Sequence, residues 1–288
     1  MNTKIKIGTC AWSFDDWQGV FYPPHLPHAH WLDYYARHFP VVEIDSTFYH
    51  IPGDHAARHW MQQTPDNFCF TIKMPRAITH EARLRDCGAK LDYFLESLNP
   101  LRPKLGCVLI QLPAAFVPRH DESALRHFVA SLPADIPFAI EFRHGDWHLP
   151  RIGHLLEEHG LCWVWNDTSP LEKQASAAFE FLPQTADFLY VRLLGNTSDR
   201  YRADGSRIHC YDRLQWPRDS SLESWAIKIK NHLEASKHIY RFANNHFEGF
   251  SPLTCQRIAR QFDLEIRLPA PEPPKVAAEP ASSQLNLL

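Results

Sequence analysis

The sequence predicts a single (β/α)8 barrel of the TIM type, followed by a disordered tail. Eight short apolar segments with strand character recur along the chain, and helical periodicity fills most of the stretches between them. Parallel strands need such crossovers, and strands that are apolar throughout are buried on both faces. The barrel occupies residues 1–268, and a tail rich in Pro, Ala and Ser occupies residues 269–288. An open doubly wound sheet is the competing architecture, although neither GxGxxG nor a P-loop follows the first strand.

In the first half of the chain, the predicted strands are residues 4–10, 41–45, 68–74 and 105–112. The helices predicted between them are residues 31–38, 54–63 and 90–98, where apolar side chains recur at helical spacing. Pro40 follows the first of these helices and marks its end. Asp54 is the predicted N-cap of the second, because a carboxylate can accept a hydrogen bond from the free N–H groups of a first turn.

In the second half, the predicted strands are residues 138–142, 161–166, 188–193 and 239–243. Helices are predicted at residues 122–131, 149–159, 222–233 and 252–262, and Gly160 ends the second of them because glycine adopts the left-handed conformation freely. Residues 171–184 indicate only a short or broken helix. The polar residues 197–216 predict a lid or binding loop, since a segment of that length is uncommon in a scaffold.

The composition is that of an ordinary globular protein and does not point to nucleic acid or a membrane as a partner, although a local basic groove stays possible. The 288 residues are 44% hydrophobic and 22% charged, with a net charge of −3 and a pI near 6.6. This balance gives no global basic field for nucleic acid or an anionic membrane. Neither a signal-peptide core nor an apolar run of about 20 residues occurs, so the sequence predicts no membrane association.

Seven cysteines are scattered along the chain without a CxxC pair. Several of them lie inside apolar, strand-like segments, which is typical of buried free thiols in a reducing compartment. A disulfide framework or a zinc knuckle fits this spacing poorly. The sequence therefore predicts a cytoplasmic protein, and it does not predict the oligomeric state.

Ionisable and polar residues end most of the predicted strands. In a barrel the carboxyl ends of all strands meet at one mouth, so these residues are expected to converge although they lie far apart in sequence. The predicted catalytic residues are Glu43, Lys73 and Glu141. The predicted substrate-binding residues are Asp45, Tyr49, Gln111, Arg143, His144, Trp147, Asp167, Arg192, Tyr201, Asn244, Asn245 and His246.

The chemistry that this set favours is acid–base catalysis on a small anionic, possibly phosphorylated, molecule by an enzyme of hydrolase or lyase type. Arg192, Arg143 and Lys73 would hold the anion, and Glu141 or Glu43 would transfer protons with a pKa set by burial and by cationic neighbours. A purely structural alternative stays open, in which the same charges form a salt-bridged plug, because buried charges must be paired whether or not they act on a ligand.

Other chemistries also remain open. A divalent metal ion could be held by Glu43, Asp45, Glu141, Asp167 and His246, although no cofactor is predicted. Lys73 could form a Schiff base, and Glu43 with Glu141 could act as a glycosidase pair. A non-catalytic module for single-stranded nucleic acid could use exposed aromatic rings together with Arg192, Arg202 and Arg207.

Several short motifs resemble the signatures of the YecE-like proteins, the domain-of-unknown-function family 72. They are residues 7–13 (IGTCAWS), 43–49 (EIDSTFY), 79–80 (TH), 104–106 (KLG), 111–113 (QLP), 141–144 (EFRH), 190–193 (YVRL) and 244–246 (NNH). The resemblance runs from about residue 4 to 262 and implies a TIM-type barrel without implying a reaction. Two departures from the pattern are Cys10-Ala11, where Ser-Gly is usual, and Leu194, where many members carry histidine.

Overall fold

The structure is a computed structural model that describes residues 4–167, 181–195 and 210–269. Its sheet contains eight strands, all paired in parallel, in the order β1-β8-β7-β6-β5-β4-β3-β2. The strands are β1 (Ile5–Thr9), β2 (Val41–Ile44), β3 (Cys69–Lys73), β4 (Leu105–Gln111), β5 (Phe138–Glu141), β6 (Cys162–Asn166), β7 (Phe188–Leu193) and β8 (His238–Ala243). All eight predicted strands are confirmed, with ends that differ by at most a residue or two.

The first and last strands of this order come together, so the sheet forms a nearly closed barrel. Cys10 and Glu43, at the carboxyl ends of β1 and β2, form a parallel bridge, and the N–H of Ala11 donates to the Glu43 carbonyl at 2.8 Å. The arrangement matches a TIM-type barrel, in which side chains from the carboxyl ends of all strands share one mouth.

Next to this bridge, β1 and β2 are also joined through the side chain of one tyrosine, Tyr35. The hydroxyl of Tyr35 accepts a hydrogen bond from the N–H of Thr9 at 2.9 Å and lies 3.1 Å from the carbonyl of Val41, to which it donates. Gly8 lies opposite, where a Cβ atom would meet the Val41 carbonyl oxygen at 2.0 Å. Glycine is therefore required for the two backbones to approach, and a side-chain hydroxyl supplies part of the missing ladder.

Helices cover the outside of the barrel. They are α1 (Trp31–Ala36), α2 (Asp54–Gln62), α3 (Gly88–Ser97), α4 (Pro118–Ala130), α5 (Pro150–Glu158), α6 (Asp219–Lys230), the short α7 (Asn245–Glu248) and α8 (Ser251–Arg260). Among the described residues, none of the helices is long and apolar enough to cross a membrane. Gly160 follows α5 with φ +66°, as predicted.

Strand alternation divides the buried residues into two groups. Side chains such as Val41, Leu109 and Phe242 point into the barrel, and their neighbours along each strand pack against the helices. Six cysteines are buried free thiols, as predicted, whereas Cys210 is exposed. The cap prediction at Asp54 is wrong, because Gly53 occupies the N-cap position and the helix begins at Asp54 itself.

Three predictions fall outside the described residues in whole or in part. They are the broken helix at residues 171–184, the loop at residues 197–216 with Tyr201, Arg202 and Arg207, and the tail at residues 269–288.

Candidate active site at the barrel mouth

The guanidinium of Arg192, at the end of β7, is the centre of the polar cluster inside the barrel. One terminal nitrogen donates to Glu141 Oε2 at 2.5 Å, and the other donates to Glu43 Oε1 at 2.6 Å. The same nitrogen lies 3.7 Å from Asp45 Oδ1. Arg192 is buried, and so are both glutamates. Three strands far apart in sequence therefore place their charges in direct contact.

Glu43 has further partners on its second oxygen. The hydroxyl of Tyr190, two residues before Arg192 on β7, donates to Glu43 Oε2 at 2.6 Å. Thr71 Oγ1 lies 2.8 Å from that hydroxyl and continues the chain of hydrogen bonds across β3. The thiol of Cys10 lies within 4.8 Å of a Glu43 carboxyl oxygen, and burial together with the charge of Glu43 raises the pKa of Cys10, so the thiol is neutral.

The two glutamates on Arg192 have pKa values shifted in opposite directions. Burial raises the pKa of Glu43, against the lowering effect of Arg192. Burial also acts upward on Glu141, but the charges of Arg143 and Arg192 outweigh it and lower the pKa of Glu141 overall. Carboxyls that differ in this way can divide the roles of proton donor and permanent anion between them.

Two cations lie closer to solvent than Arg192. The Nε of Arg143 donates to Glu141 Oε1, and 21% of the Arg143 side chain is exposed. Lys73 Nζ lies 3.5 Å from Asp45 Oδ1 and 4.4 Å from the centre of the Phe48 ring, with 12% of its side chain exposed. These two side chains form the outer edge of the charged cluster.

His80, in a π-helical turn (Ala77–Glu81) after β3, belongs to the same edge. Its ring packs edge-on against Phe48 with 4.8 Å between the ring centres, and its Nδ1 lies 2.9 Å from Thr79 Oγ1. Burial and the positive charges of Lys73, Arg76 and Arg143 lower the pKa of His80 to about 4. His80 is therefore neutral near pH 7.

Three more predicted residues lie along this rim without joining the ion pairs. Gln111 is level with Glu141 in the β4–β5 register, and its amide donates to the carbonyl of Leu112 at 3.3 Å. Tyr49 is 65% exposed and contacts the edge of Phe48. His144 Nδ1 accepts a hydrogen bond from the N–H of Asp146 at 3.3 Å. They remain predictions for substrate contact.

Trp147 is a correction to the predicted binding set. Its ring is fully buried between Phe116 and Phe142, and its indole N–H donates to the Phe116 carbonyl at 2.8 Å. A polar turn before it suggested a loop position, but the large apolar ring is more stable in the packed layer around β5. Trp147 therefore supports the strand and presents no face to a ligand.

The polar side chains that follow β6 and β8 mainly accept hydrogen bonds from backbone N–H groups. The carboxylate of Asp167 accepts from the N–H groups of Leu194 and Gly195 at 2.5 and 3.2 Å, and burial raises its pKa to about 6. Asn244 accepts from the N–H of His246 as the cap of α7.

Asn245 and His246 lie just beyond that cap. The side-chain oxygen of Asn245 accepts from the N–H and the hydroxyl of Ser251 at the start of α8. His246 Nδ1 lies 2.8 Å from the hydroxyl of Tyr211. The side-chain oxygen of Asn245 is thus used to hold the start of α8, and it does not take part in the ion pairs around Arg192.

The predicted metal ligands do not converge as a set. Glu141 accepts hydrogen bonds from two arginines, and Asp167 accepts them from backbone amides. The candidate donors that do lie together are on Cys10, Glu43 and Asp45, whose ligand atoms are all within 4.8 Å of one another. A divalent cation there would have to compete with a buried guanidinium that already bonds to Glu43.

Sequence reasoning missed Tyr190, Thr71 and His80 as members of the site. Tyr190 and Thr71 lie two residues before Arg192 and Lys73, so strand alternation places them on the same inward face and could have identified them. His80 follows a strand by several residues, and no periodicity in the sequence brings its ring back over Phe48.

Comparisons with known proteins agree with the fold. The chain is 39% identical over 140 residues to the UPF0759 protein YecE of Escherichia coli strain K12, covering 49% of this chain and 48% of that protein. It is 32% identical over 152 residues to the UPF0759 protein YunF of Bacillus subtilis strain 168, covering 51% and 53%. These matches span about half the length of the curated relatives.

Solved structures match over most of the chain. A DUF72 family protein from Thermotoga maritima superposes with a TM-score of 0.74 at 25% identity, covering 91% of this chain and all of that one (100%). One from Enterococcus faecalis superposes with a TM-score of 0.67 at 20% identity, covering 91% and 98%, and supports the fold alone. The family described as "Protein of unknown function DUF72" matches residues 6–278. By this match the chain belongs to the DUF72 family.

Proposed function

We propose that this protein is an enzyme that carries out acid–base chemistry on a small anionic molecule at the carboxyl-terminal mouth of its barrel. The reaction is of hydrolase or lyase type. Glu43 is the proton-transferring carboxyl, and Glu141 stays ionised beside it. The observation that carries this proposal is the pair of buried glutamates that share the Arg192 guanidinium with pKa values shifted apart.

The division of roles follows from the surroundings of the two carboxyls. The folded protein disfavours a negative charge on Glu43, which favours its acid form at a higher pH than in an exposed glutamate. Glu141 keeps its charge because two arginines donate to it. A proton donor and a fixed anion on one guanidinium are the elements that general acid–base catalysis requires.

The proposal gives Arg192 an organising role. Both of its terminal nitrogens are already bonded to carboxylates, and the side chain is only 2% exposed. The ligand's negative charge is instead assigned to Lys73 and Arg143, which are the more exposed cations of the cluster. This arrangement differs from a closed salt-bridged plug, in which no cation would face the solvent.

A reducing location such as the cytoplasm is part of the proposal. The thiol of Cys10 lies buried and neutral beside the Glu43 carboxyl, and its oxidation would put a larger polar group into the cluster.

The test is a thermal-shift screen of phosphorylated and carboxylate metabolites, followed by detection of products for every compound that stabilises the protein. We expect turnover by the wild type and a loss of about 100-fold or more in kcat for Glu43→Gln, because the amide cannot transfer the proton. Glu157→Gln is the matched control, since Glu157 is an exposed helix residue paired with His154.

A second variant guards against a folding defect in Glu43→Gln. Tyr190→Phe removes a hydrogen bond that lowers the pKa of Glu43, so the pH–rate profile should shift to higher pH while the fold is kept. Stabilising compounds that are never converted, or turnover that Glu43→Gln leaves unchanged, would reject the proposed function.

A further inference from the structure

We propose that Lys73, Arg143 and His80 form a binding subsite for an oxyanion group, a phosphate or a carboxylate, and that His80 takes up the proton that accompanies binding. The subsite rests on the proposed function, because it identifies the chemical group by which the ligand is held at the same mouth. It also adds a residue, His80, that touches the ligand.

The first step of the argument is the set of hydrogen-bond donors still available at the rim. Arg143 donates to Glu141 through Nε, and within the described ranges its two terminal nitrogens have no acceptor. Lys73 has an ion-pair contact at 3.5 Å and a ring contact, and no hydrogen bond of Nζ to the described residues is formed. Terminal guanidinium nitrogens and an ammonium group are the donors that bind phosphate and carboxylate oxygens.

The second step is that His80 shares the Phe48 ring with Lys73 and lies within the electrostatic reach of Arg143. Lys73 Nζ is 4.4 Å from the centre of the Phe48 ring, and the His80 ring packs edge-on against that same ring at 4.8 Å. Lys73, Arg143 and Arg76 all act on His80 as positive charges, while Glu81 opposes them. Arg76 is itself paired with Glu81 at 3.0 Å and lies on the exposed side. Lys73 and Arg143 are therefore the cations with donors to spare.

The third step concerns the state of His80. Burial and the surrounding cations keep its ring neutral, with the pKa lowered to about 4. An oxyanion placed between Lys73 and Arg143 cancels that positive field and offers an acceptor to the ring. The pKa of His80 must then rise, since an opposite charge nearby favours the protonated form. Binding and proton uptake at this ring are linked, and Thr79 Oγ1 at 2.9 Å from Nδ1 orients the ring.

The experiment follows the histidine directly. The full chain is labelled with 13C-histidine, the His80 ring signal is identified by its absence in His80→Gln, and its pH titration is recorded with inorganic phosphate, with acetate, or with chloride at equal ionic strength. We expect phosphate to raise the pKa of His80 from about 4 by about one unit or more, so the proton uptake that accompanies binding falls in the acidic range just above pH 4. A rise with acetate as well assigns a general carboxylate and phosphate site, and a rise with phosphate alone assigns a phosphate site.

Substitutions locate the anion. Arg143→Gln should weaken phosphate binding by about tenfold or more, because a charge-assisted hydrogen bond is lost. It should also raise the pKa of His80 in the absence of anion, since one repelling charge is gone. Arg119→Gln, at an exposed arginine whose side chain contacts His120, is the matched control and should change neither value. Arg143→Lys should restore part of the binding.

Several results would overturn the subsite. One is a His80 signal that phosphate and acetate leave unmoved, and another is a shift equal to that of the exposed His127, which would indicate general screening. The subsite and the proposed function fail separately. Phosphate binding at His80 without any Glu43-dependent turnover rejects the function, and Glu43-dependent turnover without a His80 response rejects the subsite.

Discussion

Two arginines on neighbouring strands, both buried, have opposite surroundings. Arg192 on β7 points into the barrel, and Arg241 on β8 points outward into the layer between barrel and helices, because its neighbours Tyr240 and Phe242 face inward. Counted over the whole residue, each is 1% exposed or less. The terminal nitrogens of Arg192 bond to two carboxylates, whereas none of the three guanidinium nitrogens of Arg241 has a hydrogen-bond partner among the residues that the structure describes.

The difference lies in how the two buried positive charges are compensated. The neighbours of Arg241 include the ring of Phe262, 5.6 Å away, and the uncharged thiol of Cys255. Burial lowers the pKa of Arg241 to about 9, although Asp167 and Cys255 oppose that shift. The carboxylates around Arg192 raise its pKa despite burial. A buried charge costs several kcal/mol unless it is paired. The fold compensates the charge of Arg192 with carboxylates, whereas it leaves the charge of Arg241 without such compensation in the described part of the chain.

The largest expected effect comes from Arg192→Met. The change leaves Glu43 and Glu141 without their shared partner, and we expect a loss of about 3–5 kcal/mol in the free energy of unfolding, measured by urea denaturation near pH 7. Arg119→Met, at an exposed position, is the control and should change stability by less than about 0.5 kcal/mol. If Arg192→Met is as stable as the wild type, the inner cluster is not a mutually dependent set of charges.

The next effect concerns Asp167, the acidic group whose charge reaches Arg241. Burial raises the pKa of Asp167 from 3.8 to about 6, so the folded state favours its protonated form. Its contribution is fully present below pH 3.8 and is lost as the pH rises through about 6. Relative to Asp167→Asn, the wild type should therefore lose about 3 kcal/mol of stability over that range.

Urea denaturation of both proteins at several pH values measures the Asp167 effect. Asp135→Asn, at a mostly exposed aspartate paired with Arg102, is the control and should follow the wild-type pH dependence. Parallel curves for the wild type and Asp167→Asn would show that this carboxyl is not perturbed.

Arg241→Met should change the free energy of unfolding in the opposite direction to Arg192→Met. A methionine of similar length fills the apolar layer without a charge, and no acceptor in the described structure loses a partner. We expect an increase of about 2 kcal/mol in the free energy of unfolding. A loss of stability comparable to that of Arg192→Met would mean that the two buried arginines are equivalent.

The side chains that face the inside of the barrel were predictable from the sequence, whereas the unpaired state of the outward-facing Arg241 among the described residues was not. Continuous apolar strands predicted burial, and alternation placed Glu141 and Arg143 on one face, where their side chains are bonded. Strand ends also brought Glu43, Lys73 and Arg192 together as predicted. Topology determines these positions, so the sequence pattern is sufficient for them.

Other positions depend on packing that no local pattern encodes. Trp147 follows a polar turn, yet its ring lies in the core because Phe116 and Phe142 supply aromatic surfaces on both sides. Asn245 resembles a mouth residue, but its side chain caps α8 through Ser251. Arg241 occupies a strand position that alternation assigns to the helix layer, and only the three-dimensional contacts show that no acceptor is present among the described residues.

The smallest expected effect concerns Ala11, whose backbone helps to hold Glu43, one of the two partners of Arg192. Ala11 adopts φ +70°, which is a left-handed conformation that costs an L-residue about 1–2 kcal/mol, and its N–H holds the Glu43 carbonyl at 2.8 Å. Ala11→Gly removes this strain but increases the freedom of the unfolded chain, so the net gain should be about 0.5–1 kcal/mol by urea denaturation. Ala124→Gly, in the middle of α4, is the control and should lose about 0.5–1 kcal/mol. A loss at Ala11 as well would show that relief of backbone strain at this position is smaller than the entropy cost of glycine in the unfolded chain.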